Sequence, residues 1–110
     1  MSAAPVVELL WWEGCPSHPN ALADLERILA EEGLSAPVEL VEIESDEQAA
    51  SERFPGSPTI RIGGEDIVPP GEGEPFTLTC RVYRLRDGRV SPTPDPADVR
   101  AAVRRAKEDT

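Results

Sequence analysis

Residues 11–18, Trp11-Trp12-Glu13-Gly14-Cys15-Pro16-Ser17-His18, decide how this chain is read. Ahead of them runs Val6-Val7-Glu8-Leu9-Leu10, which continues into Trp11 and Trp12. That run is short, apolar, and rich in β-branched and aromatic side chains, so it predicts a buried strand of a parallel or mixed sheet, broken at Glu13-Gly14. Behind the stretch, Pro19 suits a first helical turn, where its missing N–H costs nothing, and Ser17 or His18 then takes the cap. Ala21, Leu22, Leu25, Ile28 and Leu29 form one helical stripe, with Asp24, Glu26 and Arg27 off it. Gly33 followed by Leu34 is a C-terminal stop with its apolar contact. Strand, tight turn and helix together put Cys15 at a helix N-terminus, where unpaired N–H groups and the macrodipole favour negative charge. A thiol in that place is expected to ionise below the free value of about 8.5.

The whole chain limits what such a thiol can serve. Its 110 residues suit a single domain with a modest core. Apolar residues make up 39% and charged residues 29%, a balance for a globular rather than a disordered chain. The formal charge of −10, from 11 basic and 21 acidic residues, offers no basic footprint for nucleic acid and disfavours anionic membrane surfaces. No apolar run approaches the roughly 20 residues of a transmembrane helix. No basic segment followed by a long apolar core opens the sequence, so the expected location is cytoplasmic. In that compartment two cysteines, Cys15 and Cys80, are not a disulfide framework. With His18 the lone histidine, a closed zinc site within one chain is not expected.

Beyond the first helix, Pro37-Val38-Glu39-Leu40-Val41-Glu42-Ile43-Glu44 predicts a second strand, whose alternation slips between Leu40 and Val41. Ser45 and Gln48 have the spacing of a capping box ahead of a short helix over about 46–53. Phe54-Pro55-Gly56-Ser57-Pro58 is a turn-rich break. Thr59-Ile60-Arg61-Ile62, Gly63-Gly64 and Glu65-Asp66-Ile67-Val68 read as strand, primed turn and strand. The stretch 69–74 is loop by composition, and 76–85 is strand-like, with Asp87-Gly88 able to turn it back onto Arg89-Val90. Asp95-Pro96 starts a last helix carrying Val99, Ala102, Val103 and Ala106 on its inner stripe.

These residues resemble the thioredoxin-like superfamily. The aromatic strand end leads into Gly14-Cys15-Pro16-Ser17-His18 at a helix start. Ser57-Pro58-Thr59 precedes a hairpin, with Pro58 forty-three positions after Cys15, and a final helix closes the chain. The pattern WEGCPSH, FPGSPTIRI, CRVYR, DG also looks like small bacterial thioredoxin-like proteins. The resemblance implies an α/β thioredoxin-like fold: a four- or five-stranded mixed sheet flanked by helices, with 69–94 inserted before the last helix. It implies a cis bond at Pro58 facing Cys15, and Ser57 backbone groups that pair with an extended thiol substrate. Trp12, Pro16, Ser57 and Pro58 would then contact substrate, and no cofactor is needed. The position three residues after Cys15, a second cysteine in dithiol thioredoxins, is His18 here.

Three functions fit. The first is thiol-disulfide exchange with a protein or a low-molecular-weight thiol: Cys15 attacks, His18 tunes the thiol, and Cys80 or an external thiol resolves the mixed disulfide. The second is a binding module that holds a partner on the Ser57-Pro58 edge without turnover. The third is a carrier of a soft metal or thiol adduct on Cys15 and His18. Each residue also has a plainer reading. His18 can be a solvent-facing residue of the helix start, Pro58 a rigid turn, and Trp11 and Trp12 core. Cys80 can be a small buried apolar side chain, and Arg81, Tyr83 and Arg84 a solvated strand face.

Overall fold

The structure is a computed structural model and describes residues 5–108. It is mixed α/β. In chain order the elements are β1 (Val7–Trp11), α1 (His18–Glu32), β2 (Val38–Glu42), α2 (Asp46–Glu52), β3 (Thr59–Ile62), β4 (Glu65–Asp66), β5 (Tyr83–Arg84), β6 (Val90–Ser91) and α3 (Pro96–Glu108). Four strands form a mixed sheet in the order β2-β1-β3-β4, and β5-β6 is a separate ribbon. β1 runs parallel to β2, with Leu9 opposite Leu40, and antiparallel to β3, with Leu9 opposite Ile60. β1 is thus central, as its apolar composition requires, while β2 is an edge strand with Leu40 exposed.

Alternation along β1 sorts its side chains between two cores. Val7 and Leu9 pack with Ile60 and Ile62 of β3 under α1 (Ala21, Leu25, Ile28, Leu29) and α3 (Val99, Ala102, Val103). Leu10 points to the other face and packs with Ile43, Ala49 and Phe54, against which Trp12, Val41 and Leu78 lie. The second face is therefore covered by one short helix and by loop segments.

The local signals act as the residue types require. Gly33 takes a left-handed φ of 72°, and the Leu34 N–H reaches the Leu29 carbonyl, closing α1. The Ser45 hydroxyl accepts from the Gln48 N–H at 3.0 Å. Gly63 and Gly64, at φ 63° and 84°, make the primed turn between β3 and β4. The Asp95 carboxylate accepts from the Ala97 N–H at 2.9 Å and starts α3. The ends of α1 and α3 are tied by ion pairs: Arg100 with Glu31 at 2.5 Å and Glu32 at 2.7 Å, and Arg104 with Glu32 at 2.9 Å. The stretch after β4 does turn back at Asp87-Gly88, with Tyr83 opposite Ser91 and Arg84 opposite Val90.

Candidate functional site

Cys15 lies in the turn between β1 and α1, two residues ahead of the N-cap Ser17. Its N–H bonds the Trp12 carbonyl at 3.0 Å. Gly14 is needed there, because a Cβ would come within 2.4 Å of the Trp12 ring. The turn drives the thiol inward: Cys15 is only 1% exposed. Its Sγ–H donates to the Ser57 carbonyl at 3.4 Å, with the Ser17 hydroxyl at 3.9 Å. The Ser57-Pro58 bond is cis, and the step faces the cysteine.

The neighbour across this step is Cys80. Ser57 and Cys80 form an isolated parallel bridge, in which the Ser57 N–H donates to the Thr79 carbonyl at 2.8 Å and the Arg81 N–H to the Ser57 carbonyl at 2.9 Å. That register sets Cys80 beside the carbonyl that accepts from the Cys15 thiol. Hydrogen bonding with Cys15, then burial, then the charge of Cys15 push the Cys80 thiol up to about 11. Both thiols are free, Cys15 buried and Cys80 exposed.

A set of hydrogen bonds and an ion pair hold the 77–83 segment in place. The Thr77 N–H donates to the Phe54 carbonyl at 3.1 Å. The Asp46 carboxylate accepts from the Thr77 hydroxyl at 2.8 Å and the Leu78 N–H at 3.0 Å, and these bonds lower its pKa. The Arg81 guanidinium pairs with Asp66 at 2.8 Å and donates to the Thr59 hydroxyl at 3.3 Å and to the Val68 carbonyl. It also sits over the Tyr83 ring, 4.7 Å from the centroid. The Tyr83 hydroxyl donates to the Pro58 carbonyl at 2.5 Å, and burial holds it well above its ordinary pKa. Burial outweighs the Arg81 charge at Asp66, whose carboxyl is raised. Gly56, at φ 149°, allows the close approach: a Cβ there would lie 3.0 Å from the Arg81 backbone nitrogen.

The side chains of His18, Trp12 and Pro16 make no hydrogen bond to either thiol. The His18 ring stacks on Trp11, centroids 4.3 Å apart, and its Nδ1 is buried without a hydrogen-bond partner. No hydrogen bond joins His18 to Cys15. Trp12 packs on the Phe54 core and Pro16 is exposed. The Ser57 N–H and carbonyl, which the resemblance reserves for an extended substrate, are taken by Thr79 and Arg81 of the same chain. Cys80 is not a buried apolar side chain, and Arg81 and Tyr83 are not a solvated face: along 80–84 exposed and buried residues alternate, with Arg81 and Tyr83 inward. The pairing partners Asp46, Gly56 and Asp66 were not singled out from the sequence. No local sequence pattern marks them.

Among the described residues, no group of three or more His, Cys, Asp or Glu side chains could hold a metal ion, and no helix is long and apolar enough to cross a membrane. No known protein family, curated protein or solved structure matches the chain.

Proposed function

We propose that this is a thioredoxin-like thiol-disulfide exchange protein whose working pair is Cys15 and Cys80. The observation that carries the reading is the parallel Ser57–Cys80 bridge, which sets Cys80 beside the carbonyl that accepts from the Cys15 thiol. A cysteine shared by proximity with a second one can pass between dithiol and disulfide, and the bond then closes within the chain. In the oxidising direction the two protein thiols lose two electrons and two protons, and an external disulfide becomes two thiols. No cofactor takes part.

The stacking of His18 on Trp11 supports a packing role for it at the helix start. Cys80 supplies the second thiol of the pair, which the motif, with His18 three residues after Cys15, does not carry. The alternative of a partner strand held on the Ser57 edge is disfavoured, since that edge already carries residues 79–81.

The test is a turnover assay in which the chain catalyses exchange between glutathione and a chromogenic aromatic disulfide. Wild type is expected to accelerate exchange. Cys15→Ser and Cys80→Ser are each expected to lose at least tenfold of that acceleration. Activity kept by Cys80→Ser would contradict the pair.

A further inference from the structure

The two sulfurs are unequal in reach. Cys15 is 1% exposed, enclosed by the Trp12–Ser17 turn and the Ser57 carbonyl, whereas Cys80 is exposed on the outward side of residues 79–81. Attack on a disulfide runs in line with the S–S axis, so the incoming sulfur approaches the attacked one from the side opposite its partner. A line to Cys80 opposite Cys15 starts in solvent. A line to Cys15 opposite Cys80 starts inside the protein. The backbone adds a restriction: the Ser57 N–H and carbonyl are bonded to Thr79 and Arg81, so no extended chain can pair there without displacing the segment.

We infer that Cys80, not the motif cysteine Cys15, is the substrate-facing catalytic sulfur, and that its substrates are low-molecular-weight thiols and disulfides rather than extended polypeptides. The inference rests on the proposed pairing of Cys15 with Cys80. An external thiolate bonds to the Cys80 Sγ, the Cys15–Cys80 bond breaks, and its electron pair leaves on the Cys15 Sγ. A second external thiolate takes the sulfur of the first, giving a small disulfide and releasing Cys80. The two cysteines end with two protons taken from solvent, matching the two lost by the external thiols. In reverse, a small disulfide leaves one half on Cys80 and Cys15 expels it.

This assigns an unusual division of labour. The cysteine at the helix start is the internal, resolving partner. The cysteine on the loop is the gate to solvent.

The experiment exposes reduced wild type, Cys15→Ser, Cys15→Ala and Cys80→Ser to glutathione disulfide, followed by intact mass measurement and peptide mapping. The cysteine-serine variants are expected to differ: one glutathionyl group on Cys80 when Cys15 is replaced, and modification at least tenfold slower when only Cys15 remains. If the Cys15 variants do not fold, oxidised wild type is treated with glutathione and quenched in acid, and the trapped adduct is expected on Cys80. An adduct on Cys15, equal rates at the two positions, or no adduct on Cys80 overturns the assignment. So does a cysteine-bearing unstructured peptide that exchanges faster than glutathione. Wild type that forms no Cys15–Cys80 bond overturns the pairing itself. Wild type that forms the bond but carries its adduct on Cys15 overturns only the assignment of Cys80.

Discussion

Gly56→Ala is the sharpest perturbation of the site that leaves both cysteines in place. At φ 149° the backbone of Gly56 lies where a side chain is strained, and a Cβ would stand 3.0 Å from the Arg81 backbone nitrogen and 3.1 Å from its Cα. The backbone term is about 1–3 kcal/mol. Forcing a methyl into a packed contact adds about 1–3 kcal/mol, reduced by whatever the segment can yield. A total loss of about 2–4 kcal/mol in stability is expected, read by urea unfolding of the reduced protein. The segment that must yield is the one bonded to Ser57 through the Arg81 N–H at 2.9 Å, so Cys80 moves with it. If about 1.4 kcal/mol of the loss falls on that docking, the effective concentration of Cys80 at Cys15 drops about tenfold. Equilibration with glutathione buffers measures that drop directly. A variant within about 0.5 kcal/mol of wild type, the range of ordinary surface changes, with an unaltered glutathione equilibrium would refute the reasoning.

Other consequences are as definite. Because Cys15 is the main cause of the raised Cys80 pKa, alkylation of Cys80 should climb toward pH of about 11 in wild type and move down toward the ordinary thiol range in Cys15→Ser; an unshifted profile would mean the thiols do not interact. The Ser57 hydroxyl is buried without a partner, so Ser57→Ala should leave stability unchanged or raise it by about 1 kcal/mol, and a clear loss would reveal a bond to that oxygen. Glu32 is held down to about 2, first by Arg104 and then by Arg100. A carboxyl lowered in the folded state stabilises fully above its unfolded pKa of about 4.3, and that contribution is lost as pH falls toward about 2. Thermal melts of Glu32→Gln should therefore show a flatter acid limb than wild type; parallel limbs would remove Glu32 from the account.

The fold was legible where one pattern dominated. The apolar β1, the α1 stripe bounded by Pro19 and Gly33, the Gly63-Gly64 turn and the Asp95 cap each declare themselves within a few residues. The slip at Leu40-Val41 has its cause in the edge position of β2, which leaves Leu40 outside. The site was half legible. Cys15 stands at a turn that sequence marks clearly, but its burial depends on the Ser57 step. Along 80–84 hydropathy misleads: Cys80 and Val82 face out, while Arg81 and Tyr83 go in. A charged residue is buried there because Asp66, fifteen positions earlier, supplies the opposite charge, a pairing no local pattern encodes. His18 stands three residues after Cys15 in the motif, yet the ring it meets is Trp11.

The central claim is that Cys15 and Cys80 act as one redox pair, and equilibrium with glutathione tests it most directly. Wild type is held in buffers of graded thiol-to-disulfide ratio, quenched with acid, alkylated and mapped. The account expects a single two-electron transition in which both cysteines lose their free thiols together and one cross-linked peptide joins residues 15 and 80. Independent glutathionylation of the two cysteines, or two thiols that stay free across the whole range, would contradict it.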